Sequence, residues 1–319
     1  MLTYFLLAIG FVLLIKGADL LVDGSAAIAK KYNISNIVIG LTIVSFGTSS
    51  PELIVSLLAS IKGNTDIAIG NVVGSNIVNI FFILGVSATI YPLLTKSNTI
   101  WKEIPMSLLA ALMLFVLASD QLIDGSSFSM LTRIDGIVLL AFFVIFIYYT
   151  VGISKADADD SPEVVVPVLS SGKSIVYILL GLAGLVIGGK WIVDGAVHMA
   201  KNMGWSESLI GLTIVAVGTS LPELAASAMA AYKKQTDIAI GNVVGSNIFN
   251  IFFILGTSAL IKPLPFNSGT AIDVMVACLA SIILFALLFV GKKHTIEKWQ
   301  GVFMILIYGA YIIFLINTK

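Results

Sequence analysis

Long apolar runs alternate with short polar breaks along the whole chain. Ten runs of about 18 or more largely apolar residues fall at 3–24, 36–60, 67–90, 101–119, 134–153, 174–196, 207–231, 238–261, 270–290 and 298–316. Each is long enough to cross a bilayer as a helix. The breaks carry helix-end punctuation: Ser35 and Ser206 are candidate caps, and Pro92 and Pro263 follow the third and eighth runs. The longest break, KADADDSPEVVVPVLSSGK at 155–173, is acidic and lacks apolar periodicity, so it reads as a linker. The pattern predicts an all-α polytopic membrane protein of ten transmembrane helices.

The second half repeats the first. Adding 171 to a position lands on its counterpart: Gly17 on Gly188, Asp23 on Asp194, Lys30 on Lys201, Pro92 on Pro263. Between 38–88 and 209–259 about 37 of 51 positions are identical, far more than shared hydrophobicity yields. The predicted units are residues 1–154, a cytoplasmic linker at 155–173, and residues 174–319. Each unit holds five spans. An odd number sends the second unit into the membrane from the opposite side, which makes the units inverted repeats.

Composition agrees with a membrane protein and narrows the partners. Hydrophobic residues make up 58% of the chain and charged ones 11%, with a mean hydropathy of +1.04; so little charge cannot cover a water-facing surface. The formal net charge is zero, which argues against a nucleic-acid partner. The lone Cys278 excludes an intrachain disulfide. The first run has no basic leader and no small-residue cleavage site, so it reads as a retained span. Lys30, Lys31, Lys96, Lys102, Lys155, Lys173, Lys233, Lys234, Lys292, Lys293 and Lys298 collect on one side. Lys62, Arg133, Lys201, Lys262 and Lys319 collect on the other. The heavier side is expected to be cytoplasmic, with both termini outside a plasma membrane and the protein working as a monomer.

Polar residues inside the runs are the candidate chemistry. SFGTSSPELIVS at 45–56 and AVGTSLPELAAS at 216–227 each place a proline and a glutamate inside an apolar span. Pro51 and Pro222 remove a backbone hydrogen bond, so a break is expected around 45–50 and at the matching place in the second copy, with Gly47 and Gly218 weakening each helix further. A carboxylate at that depth points to function. Thr48, Glu52 and Ser56 lie four apart on one helical face, with Ser45 and Ser49 beside them; Thr219, Glu223 and Ser227 repeat the stripe, with Ser220 beside it. In the following spans Asn71, Ser75 and Asn79 form a second stripe, repeated by Asn242, Ser246 and Asn250. Gly70 and Gly74, with Gly241 and Gly245, are expected to bring the two stripes together. Every side chain in the set offers oxygen and none offers sulfur or imidazole, the donor set of hard cations such as Ca²⁺ or Na⁺. Two facing glutamates in low dielectric cannot both stay ionised without cations. One Ca²⁺ balances both, and so do two Na⁺; competition at shared ligands is the minimum for exchange.

Other polar residues read as scaffolding. Asp19, Asp23 and Asp194 are expected at the interface or as caps, and His198 and His294 at span ends. Asp157, Asp159, Asp160 and Glu163 lack EF-hand spacing and read as a solvated loop. A hydrolase using Ser49 or Ser220 would need a general base at matching depth, and neither histidine lies there.

GTSSPE at 47–52, GTSLPE at 218–223 and the paired GNVVGSN segments resemble the two alpha-repeats of the calcium/cation antiporter superfamily. They are most similar to its prokaryotic sodium/calcium exchanger branch, and the likeness spans nearly the whole chain. The resemblance implies four ion positions among the second, third, seventh and eighth helices. It implies metal ligands Thr48, Ser49, Glu52, Ser75 and Asn79 from one repeat and Thr219, Ser220, Glu223, Ser246 and Asn250 from the other. Main-chain oxygens of Ser45 and Ala216 join them. It also implies alternating access by sliding of the first and sixth helices. Ca²⁺ and Na⁺ are then transported ions and no cofactor is called for. The short linker leaves no room for large regulatory Ca²⁺-binding domains, and Asn250, where the potassium-dependent branch has Asp, argues against K⁺ co-transport. The rival expectations are H⁺/Ca²⁺ exchange, with the glutamates carrying protons, and a passive cation channel.

Overall fold

The computed structural model of the chain describes residues 2–154, 167–203, 216–266 and 268–318. Ser206, the acidic run at 157–163 and the first part of the 207–231 span lie outside them. The helices are α1 (Leu2–Tyr32), α2 (Asn36–Thr48), α3 (Ser50–Lys62), α4 (Thr65–Ile90), α5 (Thr99–Leu117), α6 (Arg133–Ile153) and α7 (Ser171–Asn202). They continue as α8 (Ala216–Thr219), α9 (Leu221–Tyr232), α10 (Thr236–Ile261), α11 (Ser268–Leu287) and α12 (Lys298–Thr318). Eight of the described helices are long and apolar enough to cross a membrane, or nine when α2 and α3, bent by 49°, are taken as one span. The architecture is the expected helical one.

Two helices are longer than their apolar runs suggested. α1 has 31 residues and α7 has 32, about 46–48 Å at 1.5 Å per residue, against a hydrocarbon core of about 30 Å. The sequence limits stopped where polar residues begin, but a helix continues through Lys and Asn into the interface. α7 starts at Ser171, where the Ser170 hydroxyl accepts the Lys173 N–H at 3.3 Å. Ser35 does not cap in this way. Its hydroxyl has no partner, and its backbone N–H instead donates to Ser154 O at 3.0 Å.

α1 and α7 pack along their whole length through glycines. A Cβ on Gly10 would lie 2.9 Å from Gly188 O, one on Gly17 2.8 Å from Gly181 O, and one on Gly24 2.8 Å from Ser174 O. As the position rises on α1 it falls on α7, so the two run antiparallel. They are also counterparts under the 171-residue offset. Counterpart helices that run antiparallel require a twofold axis across the helices, which is an inverted repeat.

Burial sorts the remaining helices. The most apolar 18-residue window of α10 is 94% buried and that of α4 is 72%, against 22% for α6 and α12. α4 and α10 are therefore the centre, and α6 and α12 turn their apolar faces outward. Exposed apolar side chains such as Val144 and Leu306 mark that outer surface. Short strands tie the ends of the bundle: β1 (Leu93–Leu94) pairs antiparallel with β4 (Thr295–Ile296), and β2 (Ser129–Leu131) with β3 (Leu264–Phe266). Runs of two or three residues carry no period, so helical patterning could not find them.

Candidate cation site

The glutamates sit where two helices break. α2 ends at Thr48, Ser49 stands in the bridge region at φ −79°, ψ 7°, and α3 restarts at Ser50 with Pro51 in its first turn. The second copy breaks at Ser220 (φ −88°, ψ 8°) between α8 and α9, with Pro222 in the first turn of α9. Proline is accepted there because a first-turn N–H has no helical partner to lose. The breaks thus fall at the prolines, as expected, but the glycines do other work. Gly47 lies within the last turn of α2, where a Cβ would come 2.3 Å from Leu182 Cδ2 of α7; at Gly218 a Cβ would come 2.3 Å from Val193 Cγ2. Both glycines make room for α7.

Close approach then brings α2 onto α10. A Cβ at Gly241 would lie 2.8 Å from Ile37 O, and one at Gly245 2.7 Å from Leu41 O and 2.8 Å from Ser45 Oγ. Gly70 and Gly74 meet nothing within 4 Å among the described residues. The expected close approach is seen at Gly241 and Gly245 in the second copy. By the offset, the counterparts of Ile37, Gly40 and Leu41 are positions 208, 211 and 212, outside the described residues.

At this crossing, the polar side chains of the two repeats bond to each other. Thr48 Oγ1 donates to Asn242 Oδ1 at 3.1 Å, while Asn242 Nδ2 donates to Glu223 O at 3.3 Å and Ser227 Oγ at 2.9 Å. Asn71 repeats the arrangement: Thr219 Oγ1 donates to Asn71 Oδ1 at 3.4 Å, and Asn71 Nδ2 donates to Glu52 O at 3.2 Å and Ser56 Oγ at 2.9 Å. Each glutamate's backbone is fixed by an asparagine of its own repeat. Each carboxylate is held by a serine of the other: Ser49 Oγ donates to Glu223 Oε1 at 2.8 Å, and Ser220 Oγ to Glu52 Oε1 at 3.2 Å. Ser220 has one proton, so its 3.2 Å contact with Ser75 Oγ is an accepted bond. Asn250 Nδ2 donates in turn to Ser75 Oγ at 3.2 Å. A run of hydrogen bonds thus links Asn250, Ser75, Ser220 and Glu52.

Glu52, Glu223, Thr48, Ser49, Ser220, Ser75, Ser246, Asn79, Asn250 and Ser45 are all buried, and Thr219 is partly so. Five of their oxygens or hydroxyls have no hydrogen-bond partner: Glu52 Oε2, Glu223 Oε2, Asn79 Oδ1, Asn250 Oδ1 and Ser246 Oγ. Leaving a buried acceptor unmatched costs about 1–3 kcal/mol, and more when it is charged. Four orphan carbonyl or carboxylate oxygens on α3, α4, α9 and α10 call for positive charge, not for more acceptors. Ser45 O is less free, since it accepts the Ser49 N–H at 2.9 Å. Ala216 begins α8.

Sequence reasoning missed one pair. Asn76 Nδ2 donates to Asn247 O at 3.1 Å and Asn247 Nδ2 to Asn76 O at 3.4 Å. Asn250 Nδ2 donates to Asn76 Oδ1, and Asn79 Nδ2 to Asn247 Oδ1, both at 2.9 Å. Asn79 and Asn250 thus act as donors through their amide nitrogens, and their carbonyl oxygens stay unmatched. Asn76 is off the 71–75–79 face by a helical step, so the spacing rule skipped it. The usable signal was the second asparagine of GNVVGSN in both copies. π-helical turns follow at Val78–Leu84 and Phe249–Leu255, a distortion frequent at functional sites.

An inverted helical repeat enclosing an oxygen-only, doubly acidic site at broken helices defines a membrane ion carrier. The comparisons identify the family. The sequence profile of the sodium/calcium exchanger protein family matches residues 2–152 and 173–317. The chain is similar to the sodium/calcium exchanger MaX1 of Methanosarcina acetivorans, at 34% identity over 98% of each chain. It is also similar to the inner membrane protein YrbG of Escherichia coli, at 36% identity over 97% of this chain and 94% of that one. Its fold matches the solved sodium-calcium exchanger NCX_Mj soaked with Na⁺ and Ca²⁺, with a TM-score of 0.83, 35% identity and coverage of 100% and 98%. The chain belongs to the sodium/calcium exchanger family, in its prokaryotic branch. It is a multi-pass membrane transporter, a cation/Ca²⁺ antiporter.

Proposed function

We propose that the protein exchanges Na⁺ for Ca²⁺ by alternating access, with Glu52 and Glu223 as the shared charge that either ion must balance. The five unmatched buried oxygens carry this reading. Ca²⁺ takes six to eight oxygens in flexible geometry. The orphan oxygens, together with the lone pairs left on Thr48, Ser49, Thr219, Ser220 and Ser75, supply such a set, with main-chain oxygens of Ser45 and Ala216 at its edge. Hydroxyls that already donate to a carboxylate or amide keep their lone pairs, so binding an ion does not require those bonds to break. One Ca²⁺ or two Na⁺ neutralises the pair; a third Na⁺ on the hydroxyls makes the exchange electrogenic, extruding Ca²⁺ as Na⁺ enters. The lysine distribution supports a plasma-membrane protein with both termini outside and the 155–173 linker between units 1–154 and 174–319 inside.

Reconstituted protein tests the reading. Ca²⁺ uptake into liposomes should follow an imposed Na⁺ gradient, saturate with Ca²⁺ and respond to membrane potential. Uptake that follows a pH gradient and ignores Na⁺ would replace this reading with H⁺/Ca²⁺ exchange. Flux that needs no counter-ion would make it a channel.

A further inference from the structure

Lys233, at the C-terminal end of α9, reaches into α1. Its ammonium lies 2.6 Å from Asp19 Oδ1 and 2.6 Å from Asp23 Oδ1, and donates to Asp19 O at 3.2 Å. Of the two expectations for these aspartates, an interfacial place or a cap, the cap is not what is seen; they bridge two helices. The 171-residue offset maps Lys233 to Lys62 at the end of α3, and Asp23 to Asp194 on α7. That counterpart pair is apart. Lys62 and Asp194 are both exposed and, among the described residues, form no ion pair. The counterpart of Asp19 is Lys190, which cannot accept from Lys62 and repels it.

Because α1 and α7 run antiparallel, Asp19 and Asp23 lie toward one end of this helix pair and Asp194 toward the other, and so toward opposite membrane faces. Backbone contacts through Gly10, Gly17, Gly181 and Gly188 bind α1 to α7 as one body. A shift of that body against α3 and α9 that opens one ion pair brings the other toward closure, since the two are related by the repeat. We infer that Lys233 with Asp19 and Asp23, and Lys62 with Asp194, are alternative latches, engaged one at a time at the two faces. This rests on the alternating-access reading and adds the contacts that hold each end state. The latch with two carboxylates is the stronger, so the arrangement seen is the resting one.

The test places cysteine pairs at 23 and 233, and at 62 and 194, in a Cys278→Ala background, with a short bifunctional thiol reagent. Each pair should cross-link during turnover, and either link should stop ion flux until it is reduced. With all four cysteines present, one molecule should carry one link or the other. Asp19→Asn should raise cross-linking at 62 and 194 about two- to fivefold, the range of a partly exposed ion pair. Both links in one molecule, no link at 62 and 194 while flux proceeds, or full flux with 23 and 233 joined would each overturn the proposal. If the cysteine variants do not fold, Asp194→Lys alone should slow exchange and Asp194→Lys with Lys62→Asp should restore it; unslowed exchange in the single variant refutes the latch. Alternating links without Na⁺-driven Ca²⁺ flux would leave the latch standing and remove the sodium reading instead.

Discussion

Replacing Glu223 by glutamine is the sharpest perturbation of the proposed site. The side chain is fully buried, its Oε1 accepts from Ser49 at 2.8 Å, and its Oε2 has no partner. Glutamine fits the same volume and keeps an oxygen for Ser49, so the change removes one charge and little else. Deleting one member of a buried, compensated charge set costs about 3–5 kcal/mol, and tenfold in affinity is about 1.4 kcal/mol. Ca²⁺ affinity should therefore fall roughly 10²- to 10⁴-fold, enough to abolish exchange at the concentrations the native protein uses. The fold should not suffer, because an uncompensated buried charge is itself a cost. Thermal melting in detergent separates the two effects. Without Ca²⁺ the variant should melt at or above the native temperature. With Ca²⁺ at 100 times its dissociation constant the native protein should gain about 2.7 kcal/mol, while the variant should gain no more than about 0.4 kcal/mol. A variant that exchanges Ca²⁺ within about threefold of the native rate, or keeps its Ca²⁺-dependent melting shift, would refute the assignment of charge.

Three further outcomes follow from the hydrogen bonds and packing. Ser220→Ala should weaken Ca²⁺ binding more than Ser49→Ala in calorimetric titrations, since Ser220 joins Glu52 to Ser75 while the Ser49 hydroxyl, among the described residues, bonds to Glu223 alone. Asn242→Ala should lower the melting temperature more than Asn71→Ala. It removes the bonds to Glu223 O, Ser227 Oγ and Thr48 Oγ1 in a fully buried setting, where a group left unmatched costs about 1–3 kcal/mol, whereas Asn71 is only partly buried. Gly181→Ala should destabilise the protein by about 1–3 kcal/mol, read as lost monodispersity on heating, because its Cβ would lie 2.7 Å from Leu21 N and 2.8 Å from Gly17 O.

What could be read from the chain follows from which physical signals are local. Span identity, the repeat and the break at Pro51 and Pro222 were legible because hydrophobic length, self-similarity and a missing N–H are properties of short stretches. The glutamate and serine stripes were legible for the same reason, since a helical face is fixed by spacing. The pairing of Ser49 with Glu223 was not, because it depends on how two distant helices cross. Asn76 and Asn247 were hidden likewise: no rule internal to α4 says that the face a step away from Asn79 will meet α10. Gly70 and Gly241 have identical neighbours in sequence, yet only Gly241 meets a described backbone. Asp19 looked interfacial by position, and only the fold brings Lys233 to it.

The same crossing explains why ion occupancy and the relation of the two halves should be coupled on the proposed reading. Each carboxylate belongs to one repeat and takes its serine from the other, so the contact between repeats passes through the groups that a cation would bind. Placing Ca²⁺ on Glu52 Oε2 and Glu223 Oε2 adds bonds across that contact; removing it takes those bonds away and leaves a carboxylate pair that cannot stay doubly ionised. The asymmetry of the hydrogen bonds fits this. Ser220 is bonded to Ser75, whereas its counterpart, Ser49, has no bond to Ser246, whose hydroxyl is unmatched. A perfectly symmetric inverted repeat would have no preferred face. The half-formed hydrogen-bond run inside and the single closed latch at Lys233 both break that symmetry, and an ion that completes the run on the Ser246 side acts on an arrangement already tilted toward one face.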